Sequence, residues 1–139
     1  MAQSDVYKGF GWEDTGVTCL ARVINNSGSY ITQATTTGIT CKVFDLDSAT
    51  PDTAVATPTV TVSSAVFDTL QTAAADLRMW TKDGTGFNFS FQVPATAFAT
   101  GTVGASQQRR FRIEFIFDVT SGADFAIVYE VTIRNLRGS

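Results

Sequence analysis

The residues with the best spacing for metal chemistry are two carboxylates at the end of a predicted strand. Asp45 and Asp47 stand two positions apart before a polar loop, and alternate carboxylates of this kind can hold calcium. The calcium-loop pattern then fails, because Ala49 and Thr50 stand where another oxygen ligand and a glycine belong. The spacing therefore favours a strand end that enters a polar loop, and we predict no metal site here.

The chain contains no histidine, which excludes several classes of catalytic and metal site. Ser-His-Asp and Cys-His catalysis, the commonest general base and the usual zinc ligand sets all need that side chain. Cys19 and Cys41 lie on predicted strands and are expected to be reduced and buried. A disulfide is the alternative, since the two strands could face each other. A nucleophilic Cys19 would need a nearby positive group to lower its pKa. We therefore predict a protein that is not an enzyme and needs no cofactor.

The densest positive cluster is formed by Arg109, Arg110 and Arg112, with Arg134 expected on the neighbouring strand. Nucleic-acid binding would favour more charge of this sign, together with exposed aromatic side chains. Acidic residues are instead expected on the same side of the strands: Glu114, Asp118 and Glu130. The cluster therefore predicts a solvated or protein-contacting face, with no nucleic acid as partner.

These side chains must be positioned by a long β-hairpin that is predicted over residues 109–135. Apolar and polar residues alternate along both of its strands, which is typical of half-buried strands, and a turn is predicted at 120–124. The predicted buried set is Phe111, Ile113, Phe115, Phe117, Val119, Phe125, Ile127, Tyr129, Val131 and Ile133. A shift of one residue would expose this set, so the pairing register should be strongly fixed.

Other β-segments are predicted along the rest of the chain. They lie at 15–24, 38–45, 59–66 and 87–93, with a loop at 47–58 and a short helical stretch within 69–78. In the second segment, Val43 is expected to face the core and Phe44 the opposite side. About seven strands with glycine-containing turns predict an all-β fold, an immunoglobulin-like antiparallel β-sandwich. A jelly roll or a small barrel is the alternative.

Residues 1–14 carry three aromatic side chains among glycines and acids without periodicity, so we predict an extended arm rather than a strand. The remainder, 15–139, is predicted to be a single β-sandwich domain. Tyr7, Phe10 and Trp12 are costly to leave in water and should pack on this domain or on a neighbour. Together with Arg110 and Arg112, they are the predicted protein-interface residues.

The sequence also bears on compartment and self-association. The first residues lack a basic region followed by an apolar run, and no stretch approaches the ~20 apolar residues of a membrane-spanning helix. We therefore expect synthesis in a cytoplasm-like compartment and no membrane partner. For the same reason we expect the Asn-X-Ser triplets at 25–27 and 88–90 to match the glycosylation motif by chance.

Charge is distributed unevenly along the chain. Residues 1–77 carry three basic and eight acidic side chains, whereas 78–139 carry seven and five. This asymmetry is either a matter of chance or a basis for head-to-tail contact between copies, in which opposite charges guide docking.

Three strings of the sequence resemble a pattern in small proteins of tailed bacteriophages. They are residues 41–45 (CKVFD), 66–70 (VFDTL) and 80–94 (WTKDGTGFNFSFQVP), followed by a closing hairpin. The third string is the specific one, although Phe87 stands where the family pattern has tyrosine. More loosely, the chain resembles immunoglobulin-like modules of baseplate and head-decoration proteins. The resemblance implies a structural virion protein that is assembled in the host cytoplasm and mounted on capsid, neck or tail in many copies. Its partners would be other virion proteins and copies of itself.

A binding module from another functional class is the alternative to a virion protein. A β-sandwich of an adhesin could bind a carbohydrate or a receptor through outward aromatic side chains, for which Trp12, Tyr30 and Trp80 are the candidates. An enzyme is the least favoured class, because the chain offers no histidine and no cofactor motif.

Overall fold

The computed structural model describes residues 6–12, 16–72, 84–98, 108–120 and 122–134, with the backbone alone for 6–12, 108 and 134. Eight strands lie in these ranges. They are β1 (Val6–Trp12), β2 (Val17–Ala21), β3 (Thr36–Asp45), β4 (Ala54–Ala56), β5 (Val66–Gln71), β6 (Phe87–Val93), β7 (Gln108–Val119) and β8 (Phe125–Arg134). One helical turn, α1 (Val62–Ala65), precedes β5, and a 3-10 turn (Ala95–Phe98) follows β6. Among the described residues, no helix is long and apolar enough to span a bilayer.

The strands form two sheets that enclose one apolar core. The large sheet has the order β1-β8-β7-β3-β4, and the small sheet has the order β2-β6-β5. Neighbouring strands are antiparallel, except that β1 runs parallel to β8. The predicted all-β sandwich is confirmed. The immunoglobulin-like arrangement and the single domain over 15–139 stay predictions.

The hairpin of β7 and β8 lies at the centre of the large sheet, as the alternation of its residues predicts. Its strands pair at ten positions, from Gln108 opposite Arg134 to Phe117 opposite Phe125. Every residue of the predicted buried set is buried except Val119, which is half-buried and packs against the core. The predicted hairpin and its inward face are therefore confirmed.

Aromatic side chains and one cross-sheet hydrogen bond join the two sheets. The ring of Phe115 on β7 lies edge-on to Phe89 and Phe91 of β6, with ring centroids 4.9 and 5.8 Å away. The hydroxyl of Tyr129 on β8 donates to the carbonyl oxygen of Leu20 on β2 at 2.8 Å. Edge-to-face ring packing adds to the free energy gained from burial of the rings. The core is therefore closed by contacts between the centres of both sheets.

The prediction of an arm rather than a strand is wrong for Val6–Trp12. This segment pairs with β8 at seven positions, from Val6 opposite Val128 to Trp12 opposite Arg134. Gly9 and Gly11 interrupt any side-chain alternation, so the local sequence does not indicate a strand. The segment is a strand because β8, more than one hundred residues later in the chain, offers its backbone groups as partners.

The middle of the chain also differs from the prediction. The β-prone segment 59–66 contains α1, and the strand begins only at its last residue, Val66. Part of the predicted helical stretch, 69–71, belongs to β5, while 73–78 lies outside the described residues. The predicted loop 47–58 contains the three-residue strand β4. These elements are short, so tertiary packing overrides their weak local preferences.

Candidate protein interface

The two carboxylates that the sequence offers for a metal are held by arginines at one end of the large sheet. Asp45 ends β3 and is fully buried, and its Oδ2 accepts from Nε of Arg109 at 2.7 Å. The Oδ2 of Asp47 accepts from the backbone N–H of Arg110 at 2.7 Å, and its Oδ1 accepts from the guanidinium at 3.3 Å. The N–H of Leu46 donates to the carbonyl oxygen of Arg110 at 3.0 Å. The turn after β3 is thus fastened to the start of β7.

The charges of this turn balance each other within the chain. The backbone N–H of Arg110 is the largest cause that holds the pKa of Asp47 below its usual value, and the Arg110 guanidinium and Arg109 act in the same direction. Desolvation is the second-largest cause and acts in the opposite direction, but the pKa is lowered on balance. Over the described ranges, no group of three or more His, Cys, Asp or Glu side chains is placed to hold a metal ion. The carboxylates therefore serve to anchor the strands.

Charged side chains alternate in sign across the surface of the large sheet that points away from the core, which we call the outer face. Arg112 binds Glu114 on the same strand, with 2.8 Å between Nε and Oε2. Lys42 of β3 lies directly opposite Glu114, and Glu130 of β8 lies directly opposite Arg112. Opposite charges in such cross-strand positions attract each other. Of the predicted positive cluster, Arg110 and Arg112 therefore belong to a mixed-charge surface, whereas Arg109 lies in register with the buried Ile133 and binds Asp45.

The predicted interface residues all lie on this one sheet. Tyr7, Phe10 and Trp12 belong to β1, and Arg110 and Arg112 belong to β7, with β8 between the two strands. Phe10 pairs with Thr132, and Thr132 pairs in turn with Arg110. Two strand spacings of about 4.8 Å separate such positions. The fold thus places on one sheet residues that are about one hundred positions apart in the sequence.

Both cysteines are free thiols in the core, and their chemistry is suppressed. Cys19 on β2 and Cys41 on β3 are buried, as predicted. Burial raises the pKa of Cys41 to about 12. Burial also raises the pKa of Cys19 beyond the usual range, and the neighbouring Cys41 adds to that rise. Neither thiol is therefore a nucleophile in the folded chain at neutral pH.

Sequence reasoning missed the role of Asn88, which it treated only as part of a chance glycosylation triplet. This side chain is buried on β6, and its amide is hydrogen-bonded to both backbone groups of Val23. A glycan could not be attached there without opening the sandwich. In the other triplet, Oδ1 of Asn25 accepts from the N–H groups of Ser27 and Ser29 and closes the turn after β2. A buried asparagine cannot be recognised from strand alternation, because alternation assigns it to solvent.

The three aromatic candidates for a sugar-binding surface have different outcomes. Tyr30 is exposed, with 46% of its surface accessible, in the turn where it bridges to Ile24. Trp12 lies on β1, for which the structure describes the backbone alone, and Trp80 lies outside the described residues. Of the three, Tyr30 is the one that the structure places in contact with solvent.

The comparisons with known proteins do not assign the chain to a family. No protein-family model matches it, and neither a curated protein nor a solved structure matches it. The likeness to tailed-phage proteins therefore stays a prediction from three strings of sequence.

Proposed function

We propose that the chain is a non-enzymatic structural protein of a tailed-phage virion. It would be a β-sandwich module that is present in many copies on capsid, neck or tail, assembled in the host cytoplasm and held by contacts with other virion proteins and with itself. The observation that supports this proposal is the position of all five predicted interface residues on one sheet, on the strands that flank β8.

Two properties of the large sheet suit it to contact with protein. Among the described strands, β1 pairs with β8 alone and so forms one edge of the sheet, and edge strands can add a strand from another chain. The outer face also carries apolar side chains that are half-buried between the charged ones: Phe44, Ile116, Ala126 and Val128. A protein partner could cover these groups and meet the charges with opposite ones.

The same charges argue against nucleic acid as a partner. Arg109, Arg110 and Arg112 each bind a carboxylate of their own chain. A phosphate backbone would have to compete with those carboxylates, and the chain carries a net charge of −3.

The proposal is tested by removing charge from the outer face. The variant Arg110→Gln with Arg112→Gln should reduce self-association in sedimentation velocity, or binding to particles that lack the protein, at least tenfold. The matched control is Thr18→Asp with Thr96→Asp, which changes the net charge equally at exposed positions away from β7 and should leave association unchanged. Urea melts of both variants would show that the fold is intact. Equal binding by the two variants would contradict an interface on this face.

A carbohydrate- or receptor-binding module is the second candidate, and the exposed ring of Tyr30 favours it. Tyrosine rings pack on sugar faces and keep a polar hydroxyl available for hydrogen bonds. A glycan array would distinguish the two candidates, with wild type compared with Tyr30→Ala. Specific binding that is lost in the variant would favour the module, whereas a virion protein without this role should show no Tyr30-dependent signal.

A further inference from the structure

The two cysteines occupy the same layer of the core, one from each sheet. Cys19 lies directly opposite Phe91 in the small sheet, and Cys41 lies directly opposite Phe115 in the large sheet. Those two rings contact each other across the sandwich, with their centroids 5.8 Å apart. Directly opposite residues of an antiparallel pair have Cβ atoms about 4.5–5.5 Å apart, so both thiols lie beside this ring contact.

The electrostatics of the two thiols agree with this placement. The charge that Cys41 would carry raises the pKa of Cys19, an effect that requires proximity across the core. Both side chains are only 1% exposed, so both thiols lie inside the core and away from solvent.

We propose that Cys19 and Cys41 form a disulfide between the two sheets when the chain folds in the presence of a disulfide oxidant. With oxidised glutathione, the thiolate of one cysteine attacks the glutathione disulfide and releases one reduced glutathione. The thiolate of the other cysteine then attacks the mixed disulfide, forms the Cys19–Cys41 bond and releases the second glutathione. The protein loses two electrons and two protons, and one oxidised glutathione becomes two reduced molecules.

The timing of this reaction follows from burial. Oxidised glutathione cannot reach either thiol while the sheets are packed together, and thiolates are scarce at the raised pKa of Cys41, about 12. The folded chain should therefore keep its thiols in an oxidising solution, and the bond should form only during folding or after opening. This inference is independent of the proposed virion role, since a chain folded in a reducing cytoplasm would remain in the dithiol form.

The experiment refolds the denatured, reduced full chain either with dithiothreitol or with a mixture of oxidised and reduced glutathione. Peptide mass spectrometry without reduction should find the Cys19–Cys41 link in most of the monomeric, glutathione-treated chain. The linked form should show the same β circular dichroism as the dithiol form and melt roughly 5–15 °C higher. Cys19→Ala and Cys41→Ala should each abolish the dependence of the melting temperature on the redox buffer.

Several results would overturn the proposal. These are glutathione adducts without the internal link, disulfide-linked dimers, or a linked chain that melts below the dithiol form. Rapid linkage in chain that was already folded would overturn the role of burial. The mass spectrum of the wild-type chain decides the central point even if either alanine variant fails to fold.

Discussion

Asn88 binds both backbone groups of Val23 inside the sandwich. The N–H of Val23 donates to Oδ1 of Asn88 at 2.7 Å, and Nδ2 of Asn88 donates to the carbonyl oxygen of Val23 at 3.0 Å. The last backbone pair between β2 and β6 is Ala21 with Phe89, so the amide continues the strand pairing where the backbone pairing ends. One side chain thus satisfies the buried polar groups of a chain segment that leaves the sheet.

Asn88→Ala should lower the free energy of unfolding by about 2–4 kcal/mol, because it leaves a buried N–H group of Val23 without this partner. Asn88→Asp should be destabilising as well, since a carboxylate accepts from the N–H but cannot donate to the carbonyl oxygen. Urea melts would measure both changes. Gln92→Ala, at an exposed position of the same strand, should stay within about 0.5 kcal/mol of wild type. A tolerant Asn88 would show that the amide is not needed for folding.

Phe115→Ala should cost about 3–5 kcal/mol of stability, because the ring is buried and contacts three other rings. Phe44→Ala should cost less than about 2 kcal/mol, since Phe44 is half-buried on the outer face. Equal losses at the two positions in urea melts would contradict the assignment of the two faces of the large sheet.

The hairpin shows what the sequence can reveal. The two strands are close in sequence, and apolar and polar residues alternate along both of them over ten paired positions. Because the large apolar side chains lie on one face, the strands have a single reasonable pairing. The opposite orientations of Val43 and Phe44 follow from the same alternation and are confirmed. The candidate residues Arg110 and Arg112 could be placed on the outer face by the same reasoning.

Features that depend on distant partners could not be predicted in this way. The pairing of β1 with β8 and the ion pair of Asp45 with Arg109 join residues that are far apart in the chain. Asn88 is misassigned by alternation, because residues on both faces of β6 are buried from Phe87 to Ser90. In each case the contact is decided by the assembled fold, and local periodicity carries no information about it.

The contact between Arg110 and the turn after β3 should contribute to stability in a way that depends on pH. The pKa of Asp47 is lowered in the folded chain from its ordinary value of 3.8, so its ionised form contributes stability above that value. This contribution should disappear as the pH falls through the lowered pKa. Asp47→Asn should therefore be less stable than wild type at pH 7, and the difference should shrink below pH 3.8. Urea melts across this range test the sign, and a difference that is constant with pH would contradict it.

Gly86 should be intolerant of a side chain for two reasons. Its φ angle is +102°, and a Cβ atom there would collide with the backbone of Gln71 on β5. Gly122 has a similar φ of +100°, but a Cβ atom there would meet open space. Gly122→Ala should therefore cost about 1–2 kcal/mol from strain, whereas Gly86→Ala should cost clearly more. Equal costs in thermal melts would show that the approach of Gln71 to Gly86 is not close.

The most direct test of the proposed role is quantitative mass spectrometry of tailed-phage particles purified from a lysate that contains this chain. The proposal predicts that washed particles retain the protein at a fixed number of copies, well above one per particle. It also predicts that Arg110→Gln with Arg112→Gln lowers this number, while Thr18→Asp with Thr96→Asp does not. Particles that are complete and infectious without the protein, in a lysate where it is abundant and folded, would contradict a structural role in the virion.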